Sequence, residues 1–131
     1  MGLQVLLIDD DIMINLIHRK IIGSFFRDSE IAVFNNGKEA LNYLKDNENV
    51  NFLIFLDLNM PIMDGWVFLK EINQHFNTNF IQVVVVSSSI DKVDREIAMS
   101  YNFVLEYISK PLQKEYLLSV QNQLVGQYPI H

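Results

Sequence analysis

Four short segments carry the side chains with chemistry to offer: Asp9-Asp10-Asp11, Asp57-Leu58-Asn59-Met60-Pro61, Ser87-Ser88-Ser89 and Ser109-Lys110-Pro111. A carboxylate can attack phosphorus, a hydroxyl can donate to a phosphoryl oxygen, and a lysine can neutralise the charge that gathers there. Gathered together, the carboxylates need a counter-charge. Two of them about 4 Å apart repel by roughly 1–4 kcal/mol, depending on the local dielectric, and a bare cluster lifts its own pKa values. Lys110 sets one positive charge against Asp9, Asp10 and Asp57, and the remaining deficit matches a divalent cation. An all-oxygen ligand set favours Mg²⁺, with Mn²⁺ the alternative. Taken singly, an aspartate often does no more than cap a helix, and Asp11, leading into Ile12, is expected to be such an N-cap. Three kinds of group at four strand ends argue for a site.

The elements that must position these groups are legible as an alternation. Five apolar runs, Leu3 to Ile8, Glu30 to Phe34, Asn51 to Leu56, Phe80 to Val86 and Val104 to Ile108, suit strands buried on both faces of a parallel sheet. Between them the spacing predicts helices, with inward faces at Ile14, Ile17 and Ile21, then Ala40, Leu41 and Leu44, then Phe68, Leu69, Ile72 and Phe76. Ile90, Val93 and Ile97 form the next such face, and Leu117, Val120 and Leu124 the last. The order βαβαβαβαβα demands right-handed crossovers and helices on both sides of the sheet. In such folds ligands bind at the carboxyl ends of the strands, where all four segments fall and where only the second strand offers nothing comparable. Strands one and three are expected to be neighbours, which brings Asp9, Asp10 and Asp57 together. Trp66, Phe25, Phe26 and the methionines read as core or helix-packing residues. His18, His75 and His131 lack paired spacing, so no metal role is expected of them.

Composition narrows the field. The 131 residues fit one domain, half of them hydrophobic, without a cysteine for disulfide, zinc or thiol chemistry. A net charge of −6 is the wrong sign for nucleic acid or anionic membranes. Met1-Gly2 leads straight into a strand-like run, Leu6 stands where a myristoylation signal wants Ser or Thr, and the apolar runs are too short to span a bilayer. A cytoplasmic location is expected.

Asp9-Asp10, Asp57 through Pro61 with Asp64-Gly65, Ser87, and Lys110-Pro111 occur in an order that resembles the receiver domain of two-component response regulators, over essentially the whole chain. The resemblance implies a flavodoxin-like α/β fold, a five-stranded parallel sheet in 2-1-3-4-5 order with helices on both faces. It implies a phosphorylation-dependent signalling switch in a phosphorelay, with Asp57 accepting a phosphoryl group from a histidine kinase or histidine phosphotransfer protein. Asp10, Asp57 and the Asn59 backbone carbonyl would bind Mg²⁺, with Asp9 reaching it directly or through water. Ser87 and Lys110 would hold phosphoryl oxygens, and the Lys110-Pro111 bond would be cis. Tyr107 matches an aromatic switch position, turning into space that Ser87 vacates and coupling the site to the surface of the fourth helix, fifth strand and fifth helix. There a protein target, unidentified by the sequence, would bind. Ile12 stands where relatives often carry proline, Ser87 replaces the commoner threonine, and Asn102 to Glu106 departs from a Gly-Ala-rich segment, so dimerisation through this face is not carried over.

Other readings are weaker. A haloacid-dehalogenase-like phosphatase needs a second acid two residues after its nucleophile, where this chain has Asn59. A flavin module needs a phosphate loop after the first strand, where the three aspartates would repel the phosphate. The chain is therefore expected to catalyse only its own phosphorylation and dephosphorylation, as an output regulator or as a relay intermediate. Residues 1–131 read as a single receiver domain; the fifth helix is expected to end near Gly126, leaving too little here for an output domain, so a lone receiver is expected, with a fragment of a longer protein as the alternative.

Overall fold

The computed structural model describes residues 3–89 and 91–125. Five strands, β1 (Leu3–Ile8), β2 (Ile31–Phe34), β3 (Asn51–Leu56), β4 (Ile81–Ser87) and β5 (Val104–Ser109), pair in parallel in the order β2-β1-β3-β4-β5. Five helices alternate with them: α1 (Ile12–Phe25), α2 (Gly37–Lys45), α3 (Gly65–His75), α4 (Lys92–Met99) and α5 (Lys114–Val125). Each expected strand is present. Phe80, expected in the fourth, belongs to a 3-10 turn (Thr78–Phe80) just before it.

Successive strand residues feed two separate cores, which is why the strands read as continuous apolar runs. Leu6, Ile8, Ile54, Leu56, Val83 and Val85 pack with α2, α3 and Ala98 of α4 on one face. Val5, Leu7, Phe55, Val84 and Val86 pack with α1 and α5 on the other. The faces read for α2, α3 and α5 point inward, with Ala40, Leu41, Leu44, Phe68, Leu69, Ile72, Leu117, Val120 and Leu124 buried.

Two helical faces depart from the reading. In α1 the buried residues are Asn15, His18 and Ile22, whereas Ile17 is half exposed. Isoleucines occur at five of this helix's positions (12, 14, 17, 21 and 22), so hydrophobicity alone does not fix its phase. The phase is set by the cap, since the Asp11 carboxylate accepts from the Met13 and Ile14 N–H groups at 3.0 and 3.2 Å. In α4, Ala98 turns inward while Val93 and Ile97 face solvent. The third member of that expected face, Ile90, lies outside the described residues, as do His131 and the expected helix end at Gly126. The methionines divide: Met60 is buried, but Met13 and Met99 are exposed rather than core.

Candidate functional site

The carboxyl ends of β1, β3, β4 and β5 meet at one edge of the sheet. β1 delivers Asp9, whose N–H donates to the Phe34 carbonyl and whose Oδ1 accepts from the Asp11 N–H at 2.9 Å. β3 delivers Asp57, its N–H bonded to the Ile8 carbonyl at 2.9 Å and its Oδ1 accepting from the Asn59 N–H at 3.3 Å. After Asp57 a seven-residue loop leads back to α3, whose first residue returns against Asp57. Leu58 and Met60 are buried in that loop, Asp64 caps the helix through the Val67 N–H, and the Gly65 N–H donates to the Leu58 carbonyl. A Cβ at Gly65 would lie 2.6 Å from both the Asp57 carbonyl oxygen and Leu58 Cα, so only glycine lets the helix start this close to the acid.

β4 ends on Ser87, fully buried, its hydroxyl accepting from the Ser89 N–H at 3.1 Å and its carbonyl accepting from the Lys110 N–H at 2.9 Å. β5 continues through a cis Lys110-Pro111 bond. The Lys110 ammonium lies 2.8 Å from Asp9 Oδ2 and 3.6 Å from Asp57 Oδ1. Asp9 and Asp57 are buried and Asp10 is exposed, yet carboxylate oxygens of all three fall within 4.8 Å of one another. Ligand oxygens on opposite sides of a Mg²⁺ ion are about 4.2 Å apart. The cluster therefore fits that ion after a small closure.

Electrostatics follow from this crowding. Burial, then the neighbouring Asp9 charge, pushes the Asp57 carboxyl up to about 6 against the opposing pull of Lys110. Lys110 is disfavoured by burial, but its hydrogen bond to Asp9 and the Asp57 charge outweigh that and raise its pKa. His18 is lowered, chiefly by burial, with Asp9 acting in the opposite sense.

Each residue singled out in the sequence now has a place. Asp9, Asp10, Asp57 and Lys110 converge; Ser87 is tied by its backbone to Lys110; Asn59 is exposed, its N–H on Asp57. Tyr107 is already buried, its hydroxyl donating to the Ser89 carbonyl at 3.2 Å.

Arg95, Asn15 and Asn35 escaped the sequence reading, whereas Ser89 was among its strand-end hydroxyls. Ser89 also accepts the Asp91 N–H and donates to Asp94, and Arg95 donates to the Tyr107 carbonyl at 3.2 Å, so loop, α4 and β5 are laced together. Asn15 donates to the Asp9 carbonyl at 2.7 Å and to Asn35 Oδ1 at 3.3 Å, which gives the end of β2 a part in the site after all. Such partners show no spacing signal; only the phase of α1 reveals that Asn15 faces inward.

Comparisons with known proteins agree with this geometry. The family model for the response regulator receiver domain matches residues 5–122. The chain is 34% identical over 85 residues to the sensor histidine kinase CheAY of Helicobacter pylori, covering 65% of this chain and 10% of that protein. It is 32% identical over 112 residues to the probable C4-dicarboxylate response regulator DctR of Bacillus subtilis, covering 86% of this chain and 47% of the relative. The chain thus spans at most about half the length of these curated relatives. Among solved structures, a two-component response regulator from Cytophaga hutchinsonii superposes with a TM-score of 0.84 at 32% identity, over 95% of this chain and 98% of that one. With its sheet order, its carboxylate cluster and its matched residues, the chain belongs to the response regulator receiver domain family.

Proposed function

We propose that the protein is a phospho-switch in which Asp57 accepts a phosphoryl group from a phosphohistidine on a histidine kinase or phosphotransfer protein. The observation that carries this reading is the placement of Lys110 across Asp9 and Asp57, beside a third carboxylate. Asp9, Asp10, Asp57 and the Asn59 carbonyl would hold Mg²⁺, or Mn²⁺ in its place. The bound ion supplies positive charge to the phosphoryl oxygens. An Asp57 carboxylate oxygen attacks phosphorus, the P–N bond to the donor imidazole breaks, and the imidazole departs with that electron pair and takes up a proton. Lys110 exchanges its Asp57 contact for a phosphoryl oxygen. The Ser87 hydroxyl leaves the Ser89 N–H and donates to another, and the freed loop passes the change to Tyr107 and α4. Phosphorylation then acts by shifting the balance between two states of Tyr107 and its loop.

A protein donor must cover the rim of the site. Ile12, Met13, Leu16 and Ile17, exposed by 68, 63, 59 and 50%, form an apolar strip on the outer side of α1 beginning two residues after Asp10. That strip suits an apolar helix carrying the phosphohistidine. Exposed Val93 and Ile97 on α4 suit the target protein at the α4-β5-α5 surface. All described strands share one sheet, which supports reading residues 1–131 as one receiver unit. No helix among the described residues is long and apolar enough to cross a membrane.

The test is intact mass spectrometry after incubation with Mg²⁺ and acetyl phosphate. A Mg²⁺-dependent adduct on the native protein, absent from Asp57→Asn, is expected. The same adduct on both proteins would refute the assignment.

A further inference from the structure

Asp9 has every polar atom engaged: its N–H on Phe34, Oδ1 on Asp11, Oδ2 on Lys110 and its carbonyl on Asn15. Asp10 is its opposite. Its carboxylate is exposed and makes no hydrogen bond or ion pair among the described residues, yet it stands within ligand distance of Asp9 and Asp57. With no side-chain partner to hold it, the one direction fixed for it is that of its Cα–Cβ bond, which the backbone sets, above all through the plane of the Asp9–Asp10 peptide. That plane is fixed by whatever holds the Asp9 carbonyl.

The holder is Asn15, only 4% exposed. The Asp9 carbonyl at 2.7 Å can only accept, so the amide nitrogen must face it, and the same nitrogen lies 3.3 Å from Asn35 Oδ1. Its own Oδ1 is then buried without a partner among the described residues. Asn15 sits where α1 meets the sheet, a position that packing alone would give to an aliphatic side chain. A half-satisfied buried amide is unfavourable for the fold, so its use lies in what the nitrogen grips.

We infer that Asn15 is a positioning residue for the metal site: by holding the Asp9 carbonyl it orients the Asp9–Asp10 peptide and keeps Asp10 aimed at the ion. It acts through Asp10 and touches neither phosphoryl group nor ion. The inference rests on the metal-assisted reading given above.

The test is Mg²⁺ titration by calorimetry on the native protein, Asn15→Leu and Asn15→Ala, with Ile22→Val as a core control on the same helix face. Loss of an outer partner of a metal ligand typically weakens binding by about 10- to 100-fold. Both Asn15 variants are expected to raise the Mg²⁺ dissociation constant about tenfold, while Ile22→Val lowers the unfolding midpoint and leaves that constant within twofold. In acetyl phosphate reactions the half-saturating Mg²⁺ concentration rises by the same factor, and the maximal rate at saturating Mg²⁺ stays within threefold of native. Alanine serves where leucine does not fold. A folded Asn15 variant binding Mg²⁺ within twofold of native overturns the inference. A native protein that binds no Mg²⁺ overturns the functional reading beneath it.

Discussion

Helices α1 and α3 each follow a strand whose carboxyl end delivers an acid of the site, yet they are built on opposite plans. α3 buries Phe68, Leu69 and Ile72 and is a conventional amphipathic helix. The first two turns of α1 are inside out, with Asn15 and His18 buried and Ile12, Met13, Leu16 and Ile17 in solvent. α3 anchors its acid by packing. α1 trades packing for a hydrogen bond to the acid's own backbone on one side and an apolar docking strip on the other.

Changes at four places break or sharpen that contrast. The largest effect is expected at α3, where Phe68→Ala empties a fully buried site and costs about 3–5 kcal/mol by urea unfolding. A loss below 1 kcal/mol there would mean that α3 does not anchor the fold.

Next comes the acid itself. Its carboxyl is raised from the ordinary 3.8 to about 6, so the folded state binds the proton more tightly than the unfolded one. Without metal, the native protein gains stability from this group as pH falls from above 6 toward 4. Asp57→Asn removes that slope and is more stable at pH 7, by at most about 3 kcal/mol. Urea melts of both proteins from pH 4 to 8 give the difference curve directly. Adding Mg²⁺ should narrow the gap by stabilising the native protein alone, and chelating it should restore the gap.

Gly65→Ala pushes a methyl group into Asp57 and Leu58 backbone and is expected to cost about 1–3 kcal/mol, together with slower adduct formation. Equal stability and rate would show that the turn has slack.

The smallest stability change is expected on α1. Leu16→Ser and Ile17→Ser, both at exposed positions, should stay within about 0.5 kcal/mol of native and react normally with acetyl phosphate. Transfer from a phosphohistidine protein should fall about tenfold or more. Normal protein transfer would remove the docking role from the strip.

The same contrast explains what the sequence disclosed. Strands were legible because residues such as Leu6 and Val5 are buried on opposite faces of one sheet, leaving unbroken apolar runs. Asp9, Asp57 and Lys110 were legible because strand ends bring chemistry together in this topology, whatever the loops do. α3 was legible because its phase follows hydrophobicity. α1 was not, because its phase follows the Asp11 cap and the grip of Asn15 on Asp9, neither of which leaves a periodic trace. The exposed face of α4 misled for a related reason: an apolar stripe marks burial, and the partner need not be the same chain.

The central claim is that one aspartate among three close neighbours is the acceptor. Borohydride reduces an aspartyl phosphate to homoserine and so marks the acceptor permanently. After phosphorylation with acetyl phosphate and Mg²⁺, peptide mapping should find the reduction at Asp57 alone. Reduction at Asp9 or Asp10, or none in folded protein at saturating donor and Mg²⁺, would contradict the account.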